Sequence, residues 1–276
     1  MSLNKSVVEL ISLLDSNVKD DAQSYLTALP FSDIDNHIKE LLFEELLKRN
    51  CFPPLFNLSL IYELQSIDTL MAKCLESDEA CKVLMNLTRT FDSISFKVIS
   101  HKLYSEFIKI DYSSKYGCIV NISRLKESHL VLLHHLTAWL SKPFFITIFK
   151  NISMNIQTHN ELLKHLPSIL LRLVATGFHD SIIEDERALE EFDKNEINDF
   201  VFTTTESDLD NPDDLIVLLD TMMILLNGHS SSRNTVQSFG LYYILRHLDR
   251  YCDSKKWETV NLAIHNCVEL LLAKEE

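Results

Sequence analysis

The sequence predicts an all-α fold, more narrowly an armadillo- or HEAT-like α-solenoid of degenerate helical repeats. One observation is a stripe of apolar residues with the spacing of a single helix face, made of Leu215, Leu218, Leu219, Met222, Met223 and Leu226. A polar turn and a second, shorter stripe follow it, at Leu241, Ile244, Leu245 and Leu248. The composition agrees, because 4 Gly and 6 Pro are too few for the turns of an all-β chain of 276 residues. Two helices with such wide apolar faces bury them by stacking on similar neighbours.

The rest of the chain shows the same pattern of short amphipathic segments. We expect helices over residues 3–14, 19–29, 34–46, 77–87, 96–110, 127–140, 144–152, 160–175 and 257–271, with short helices within 55–75. Pro167 either kinks its helix or marks the first turn of that helix. Asn227-Gly228 is expected to end the 215–226 helix, because both residues accept a left-handed backbone.

Similar layouts recur along the chain without an exact repeat. The stretches 80–110 and 218–248 both place an Asn near the end of a first helix and an aromatic residue in the second. This layout predicts degenerate units of about 40 residues in a single solenoid over residues 1–276. A helix bundle without solenoid curvature is the alternative architecture.

The negative charge is concentrated in one segment. The chain has a net charge of −14, and residues 180–214 hold 14 acidic residues against Arg187 and Lys194. We interpret this stretch as a solvated acidic loop, with a short helix possible over 184–192. The remaining chain is nearly neutral and lacks the basic face of a nucleic-acid-binding protein, so we expect no nucleic-acid partner.

The cysteines and apolar runs indicate the cellular setting. Six cysteines form no CxxC pair, and Cys74 and Cys81 lie two helical turns apart, so we expect reduced, buried thiols. The most apolar run is interrupted by Lys142 and Pro143, so we expect no membrane span. No signal peptide starts the chain, so the cytoplasm is expected, with the nucleus possible. For the same reason we assign no glycosylation to the Asn-x-Ser/Thr triplets, which begin at Asn57, Asn86, Asn121 and Asn151.

No motif predicts an enzyme, a metal site or a cofactor. Adjacent helical residues point about 100° apart, so His134 and His135 are not expected to share a metal ion. The sequence lacks HExxH, GxSxG and Walker motifs and has no glycine-rich phosphate loop. The acidic segment lacks the glycine and closing glutamate of a calcium-binding loop.

Aromatic, arginine and asparagine residues on the predicted helices are the candidates for contact with a protein partner. The last helix of each solenoid unit lines the concave face, where such side chains are good anchors. The candidates are Asn86, Arg89, Trp139, Arg172, Arg233, Tyr242, Tyr243 and Arg246. The alternative for each is that the aromatic residues belong to the core and the arginines are solvated.

The order of features in the second half resembles the HGH-homologue family of armadillo proteins. The resemblance is carried by Lys150-Asn151, 166–173 (LPSILLRL), the acidic insert, 215–226, Arg233, 243–248 (YILRHL) and 267–276 (CVELLLAKEE). The first half is similar more loosely, over 10–29, 80–88 and 132–137. This chain departs from the family at Arg172, where a small or apolar residue is usual, and in the turns at 177–179 and 230–232.

The resemblance implies a function for this chain. Members of that family are eukaryotic co-chaperones that help translation elongation factor 2 to fold. The resemblance therefore implies that this chain is a non-catalytic adaptor that acts as a monomer. It would bind elongation factor 2 and work with the cytosolic chaperonin and Hsp90. The alternative is an armadillo-type peptide-binding adaptor for transport or complex assembly, which would need a ladder of asparagines; Asn86, Asn151 and Asn227 are its possible rungs.

Overall fold

The chain is all-helical throughout the part that the structure describes. The computed structural model describes residues 3–14, 19–139, 144–172, 181–182, 184–188, 190, 211–228, 230–238 and 240–273. Every regular element in these ranges is a helix, which confirms the all-α prediction. The chain divides into two compact units, residues 1–128 and 129–276. The single solenoid expected over the whole chain stays a prediction.

Nine short α-helices build the described part of the first unit. They are α1 (Leu3–Leu13), α2 (Lys19–Thr27), α3 (Asn36–Lys48), α4 (Phe52–Leu58), α5 (Asp68–Cys74), α6 (Asp78–Thr90), α7 (Asp92–Ile99), α8 (Tyr104–Phe107) and α9 (Ser113–Ile122). Proline occupies the first turn of α4, where a missing N–H costs nothing. Ser77 caps α6, its hydroxyl oxygen accepting a hydrogen bond from the N–H of Ala80 at 3.4 Å.

Helices of the first unit pack in the order of the chain. Helix α4 packs against α6, and α6 packs against α9. At Gly117 of α9, an added Cβ would overlap Sδ of Met85 on α6. Glycine therefore allows α6 and α9 to come close together. The side chains between them, including Leu84 and Cys118, are fully buried.

Among the described residues, seven α-helices of the second unit have defined bounds. They are α10 (His129–Leu133), α11 (Phe145–Ser153), α12 (His159–Arg172), α13 (Pro212–Gly228), α14 (Ser230–Ser238), α15 (Leu241–Lys255) and α16 (Glu258–Leu272). Helix α13 packs against both α11 and α16, and α15 packs against α16. Leu218, Leu219 and Met222 of the predicted stripe are fully buried on α13.

Two expected helices are divided in the structure. The helix expected over 127–140 is divided into α10 and two 3-10 turns, at Lys126–Ser128 and Leu136–Trp139, and the helix expected over 96–110 is divided into α7 and α8. Of the two alternatives for Pro167, the first turn is excluded, because Pro167 lies inside α12. Helix α13 ends at Gly228 as expected, but this glycine has no left-handed backbone; a Cβ there would lie 2.5 Å from Nδ1 of His159. Glycine is needed at 228 because α13 approaches α12 closely.

The cysteine prediction is confirmed. All six cysteines are free thiols and all are buried. Sγ of Cys81 on α6 donates a weak hydrogen bond to the carbonyl oxygen of Cys74 at the end of α5, at 3.4 Å. The two cysteines therefore lie on different helices and not, as expected, two turns apart on one helix. Burial raises the pKa of the Cys252 and Cys267 thiols to about 12. These thiols therefore stay protonated and act as small apolar side chains.

Candidate partner-binding site

Three predicted partner-binding residues lie together at the start of α15: Tyr242, Tyr243 and Arg246, here called the Tyr-Arg surface. The rings of the two tyrosines meet edge to face, with centroids 5.7 Å apart. The guanidinium carbon of Arg246 lies 5.4 Å from the centroid of the Tyr243 ring, within cation–π distance. Tyr242 is 37% exposed and Tyr243 and Arg246 are half-buried, so this surface presents aromatic and cationic groups to solvent.

The local sequence explains why these side chains face outward. The apolar stripe of α15, from Leu241 to Leu248, is fully buried and fixes the rotation of the helix. Gly240 precedes the helix with φ 70° and ψ 15°, a left-handed backbone that glycine adopts at little cost. The chain can therefore turn sharply into α15 immediately before the two tyrosines.

Asp185 joins the acidic segment to α15. Its Oδ1 accepts hydrogen bonds from the backbone N–H groups of Arg187 at 3.1 Å and Ala188 at 3.3 Å. Its Oδ2 lies 2.9 Å from Nε2 of His247 and forms an ion pair with Arg246. Ser181 adds a second connection, with its Oγ 3.0 Å from Nδ1 of His247. Ser181, Asp185, Arg246 and His247 are here called the Asp185 cluster.

An open groove of about 520 Å³ lies beside the Asp185 cluster. It is lined by Ser181, Glu184, Asp185, Glu186, Arg187, His247 and Arg250. Three carboxylates and two guanidinium groups therefore meet in one groove. Such a mixture suits hydrogen bonding with a polar protein surface more than it suits a small apolar ligand.

Burial and charge shift both titrating groups of the cluster. For Asp185, burial raises the pKa, but the hydrogen bonds from His247 and Ala188 and the charge of Arg246 together hold it below its usual value of 3.8. Burial lowers the pKa of His247 below 6.5, and the Asp185 hydrogen bond only partly offsets this. At neutral pH the carboxylate is therefore charged and the imidazole neutral. Nε2–H of the neutral ring then donates to Asp185, and Nδ1 accepts from Ser181.

The contacts of Ser181, His247 and Asp185 also have the connectivity of a nucleophile, a base and an acid. In a catalytic triad the carboxylate serves chiefly to orient the histidine. Here Asp185 also binds Arg246 and the backbone N–H groups of residues 187 and 188. It therefore connects the segment around residue 185 to α15. This sharing favours a structural interpretation of the cluster. The prediction that the chain is not an enzyme stays a prediction.

The structure disperses the remaining predicted residues. Trp139 is only 3% exposed and its ring lies 5.9 Å from that of His135, so it contributes to the core. Arg89 is exposed on α6. Arg233 is half-buried, and its Nε donates to the carbonyl oxygen of Leu226 at 3.4 Å. The side chain of Arg172 lies outside the described residues, as does most of the acidic segment over 180–214.

Asn86 has a structural role inside the first unit. Its Nδ2 donates to the carbonyl oxygen of Phe56 at 3.3 Å and to Oγ of Ser59 at 3.2 Å. Asn121 on α9 makes equivalent contacts with α6, to the carbonyl oxygen of Met85 at 3.0 Å and Oγ1 of Thr88 at 3.3 Å. Asparagine side chains therefore connect α6 to α4 and α9 to α6.

The Asn-x-Ser/Thr triplets could have revealed this arrangement in the sequence. Asn57 and Ser59, and likewise Asn86 and Thr88, belong to one triplet each. In the structure the asparagine reaches back, and the hydroxyl two residues later accepts from the next asparagine. Sequence reasoning missed this signal because it treated the triplets only as glycosylation signals.

Two comparisons with known proteins, by family model and by curated sequence, find no match for this chain. In the described part of the chain, none of the helices is both long enough and apolar enough to cross a bilayer. Nor do three or more potential metal ligands come together among those residues. The fold and the Tyr-Arg surface thus define an all-helical protein with an exposed aromatic and cationic surface.

Proposed function

We propose that this chain is a non-catalytic protein-binding scaffold with an armadillo-like arrangement of helices. Its function is that of a co-chaperone adaptor in the cytoplasm, which assists the folding of elongation factor 2 together with the cytosolic chaperonin and Hsp90. The Tyr-Arg surface is the single observation that carries the binding part of the proposal. The resemblance to the HGH-homologue family supplies the client and the chaperones.

Serial packing within each unit supports an armadillo-like arrangement. Helices α4, α6 and α9 contact one another in chain order, and so do α11, α13 and α16. In the first unit the asparagine hydrogen bonds repeat with the helices, joining residues 30, 30 and 36 positions apart at Asn57, Asn86 and Asn121. A contact that recurs at the length of one repeat is typical of a solenoid, in which each repeat touches its neighbours.

Residue types on the Tyr-Arg surface support protein binding. Tyrosine and arginine are enriched among the side chains that dominate binding energy in protein interfaces. Two rigid rings and a stacked guanidinium group lose little conformational entropy when a partner covers them. The adjacent groove adds carboxylates, which favour a basic region of the client. The proposed mechanism is capture of a partly folded client domain until the chaperonin accepts it.

The contacts of Asn86 weigh against the alternative of a peptide-binding adaptor. A peptide-binding ladder needs asparagine amides that are free to donate to the peptide backbone. The amide nitrogen of Asn86 instead donates to Phe56 and Ser59 at the end of α4. Asn227 is exposed near the end of α13 but has no equivalent in the asparagine contacts of the first unit.

Replacing Tyr242 tests the proposal directly. We expect Tyr242→Ala to reduce the recovery of elongation factor 2 from cell lysate by about tenfold, because a central interface tyrosine contributes about 1–2 kcal/mol. The measurement is an affinity pull-down at low salt with quantitative mass spectrometry. Tyr242 is exposed, so the variant should keep the circular dichroism spectrum of the wild type.

Tyr25→Ala is the matched control. Tyr25 is 67% exposed on α2, in the other unit, so the same chemical change is made away from the proposed site. Equal loss in both variants would contradict the assignment of the Tyr-Arg surface. Absence of both elongation factor 2 and chaperonin subunits from the wild-type pull-down would contradict the co-chaperone function. Tight binding of a linear motif that is weakened by replacing Asn227, an exposed possible rung, would favour the peptide-binding adaptor.

A further inference from the structure

A second groove, of about 570 Å³, lies in the first unit at the start of α3. It is here called the α3 groove, and it is lined by Asn36, His37, Glu40, Ile61, Tyr62, Glu63, Gln65 and Phe91. These residues come from α3, from the loop between α4 and α5, and from the junction of α6 and α7. Neither the Tyr-Arg surface nor the Asp185 cluster includes any of them.

Side-chain contacts hold the loop between α4 and α5 in place. Nζ of Lys97 donates to the carbonyl oxygen of Leu64 at 2.7 Å. Oγ of Ser93 donates to the carboxylate of Glu63. Both anchors come from α7, so the loop is fixed to a neighbouring helix. The α3 groove is therefore preformed, which reduces the entropy cost of binding.

Apolar side chains are exposed at this loop. Leu60 is 46% exposed and Ile61 is 45% exposed, and they are adjacent in the sequence. Ile61 lines the α3 groove together with the half-buried ring of Phe91. Exposed aliphatic groups next to an aromatic ring give an apolar side chain from a partner a place to pack.

The charges in the α3 groove are negative. Glu40 and Glu63 line it, and no lysine or arginine is among the described residues that do so. Burial raises the pKa of the Tyr62 hydroxyl, and the charges of Glu40 and Glu44 raise it further. Lys39 lies near the edge, where its Nζ donates to Oδ1 of Asn36 at 3.3 Å. The interior of the groove nevertheless favours a cation.

From this geometry we infer that the α3 groove is a docking site for a peptide segment of a partner protein that carries basic side chains on both sides of one apolar side chain. The apolar side chain packs on Ile61 and Phe91. The basic side chains pair with Glu40 and Glu63, and the ring of Phe91 offers a cation–π contact. Charge complementarity thus selects the occupant, and the apolar contact distinguishes a peptide from a simple cation.

This inference goes beyond the proposed function, because it concerns a different surface and uses no property of elongation factor 2. The test uses the purified full-length chain and synthetic peptides. If no peptide binds the α3 groove, the pull-down of elongation factor 2 is unaffected. If the pull-down fails, the peptide result is likewise unaffected.

The experiment is a fluorescence-polarisation screen with an array of short peptides. Every member carries a leucine or phenylalanine between two lysines or arginines, and a matched set replaces the basic residues with glutamate. We expect basic members to bind and acidic members not to bind, with affinity falling as salt rises. The double variant Glu40→Gln/Glu63→Gln should weaken the best peptide about tenfold, because it removes two exposed ion pairs. Ile61→Ser should weaken the same peptide several-fold.

Matched controls make the result decisive. The double variant Glu76→Gln/Glu106→Gln changes the net charge by the same amount at two exposed positions outside the groove, and it should bind like the wild type. Circular dichroism verifies that each variant is folded. The inference is overturned if no basic peptide binds the folded wild type, if both double variants weaken binding equally, or if spermine binds as tightly as the best peptide.

Discussion

At the scale of single residues, Asp185 connects two parts of the second unit. One of its oxygens caps the backbone of residues 187–188, and the other contacts Arg246 and His247. These contacts connect the charged segment to the helix that carries the Tyr-Arg surface. Removing the carboxylate would leave Arg246 and His247 without this partner, so Asp185 helps to hold Arg246 beside Tyr243.

The Asp185 cluster makes the stability of the second unit sensitive to pH. The pKa of His247 is lower in the folded chain than its unfolded value of 6.5, so the unfolded chain binds more protons as the pH falls below that value. The pKa of Asp185 is also lowered, so its contribution is lost at more acidic pH, below its unfolded value of 3.8. Both groups therefore destabilise the folded unit on acidification, and His247 does so first.

Replacing His247 tests this pH dependence. We expect the free energy of unfolding of the wild type to fall between about pH 7.5 and about pH 5.5, and the slope to flatten in His247→Gln, which cannot titrate. The measurement is urea unfolding followed by tryptophan fluorescence. His134→Gln is the control, because His134 is exposed in the same unit. An unchanged slope in His247→Gln would show that His247 does not carry the effect.

The sequence predicted the residues of the Tyr-Arg surface but not the contact of Asp185 with His247. Tyr242, Tyr243 and Arg246 lie within one helical turn or so of each other, so a helical pattern alone places them together. Asp185 and His247 are 62 positions apart, and helix periodicity carries no information about that contact. The acidic segment contains many carboxylates of similar appearance, and only tertiary packing selects Asp185 among them.

At the scale of elements, the asparagines of the first unit connect helices that are not neighbours in the chain. Asn57, Asn86 and Asn121 donate to carbonyl oxygens of α2, α4 and α6, respectively. The carbonyl oxygens of Phe56 and Met85 also accept from the hydroxyls of Ser59 and Thr88. The asparagines thus add hydrogen bonds between helices at oxygens that have two lone pairs.

Replacing Asn121 tests the energetic weight of these contacts. We expect Asn121→Ala to lower the free energy of unfolding by about 1–2 kcal/mol, because two hydrogen bonds of a half-buried amide are lost. Asn121→Asp should cost more, since a carboxylate of the same shape would face the carbonyl oxygen of Met85. The measurement is urea unfolding followed by circular dichroism. Asn57→Ala is the control and should cost less, because Asn57 is exposed. Equal stability of the alanine and aspartate variants would contradict this role.

Helix periodicity predicted most helices, and the failures have physical causes. The stripe of α15 is buried as expected, and so is that of α13 except for the half-buried Met223, because a wide apolar face dominates local preferences. Oγ of Ser128 donates to the carbonyl oxygen of Ile122 at 2.7 Å and holds residues 126–128 in a 3-10 turn, so the helix expected from residue 127 begins only at His129. Gly228 was expected to be a cap, but a close helix contact can require glycine as strictly as a turn does. Single-sequence patterns do not distinguish these two reasons.

At the scale of the whole molecule, the chain combines two units with different surface properties. The first unit carries the asparagine contacts and the α3 groove, and the second carries the Tyr-Arg surface and the Asp185 cluster. Each has its own buried core of leucine, isoleucine and other apolar side chains. Two such cores allow the units to unfold separately, whereas strong coupling between repeats in one continuous solenoid would make them unfold together.

The positions of the tryptophans allow these outcomes to be distinguished. The chain has 2 tryptophans, at positions 139 and 257, and both belong to the second unit. Tryptophan fluorescence therefore reports the second unit, and far-UV circular dichroism reports helices of both. We expect Leu84→Ala, in the core of the first unit, to cost about 2–5 kcal/mol and to shift part of the circular dichroism transition to lower urea. The fluorescence transition should stay in place.

Leu219→Ala is the matched change in the second unit, because Leu84 and Leu219 are both fully buried leucines on long helices. Leu219→Ala should shift the fluorescence transition to lower urea concentration. The part of the circular dichroism transition that comes from the second unit should shift with it. If Leu84→Ala instead moves both signals together, unfolding is cooperative across the boundary at residue 128, and the units behave as one solenoid. That result would support the single domain predicted from the sequence, and it would mean that a ligand in the α3 groove also stabilises the Tyr-Arg surface by mass action.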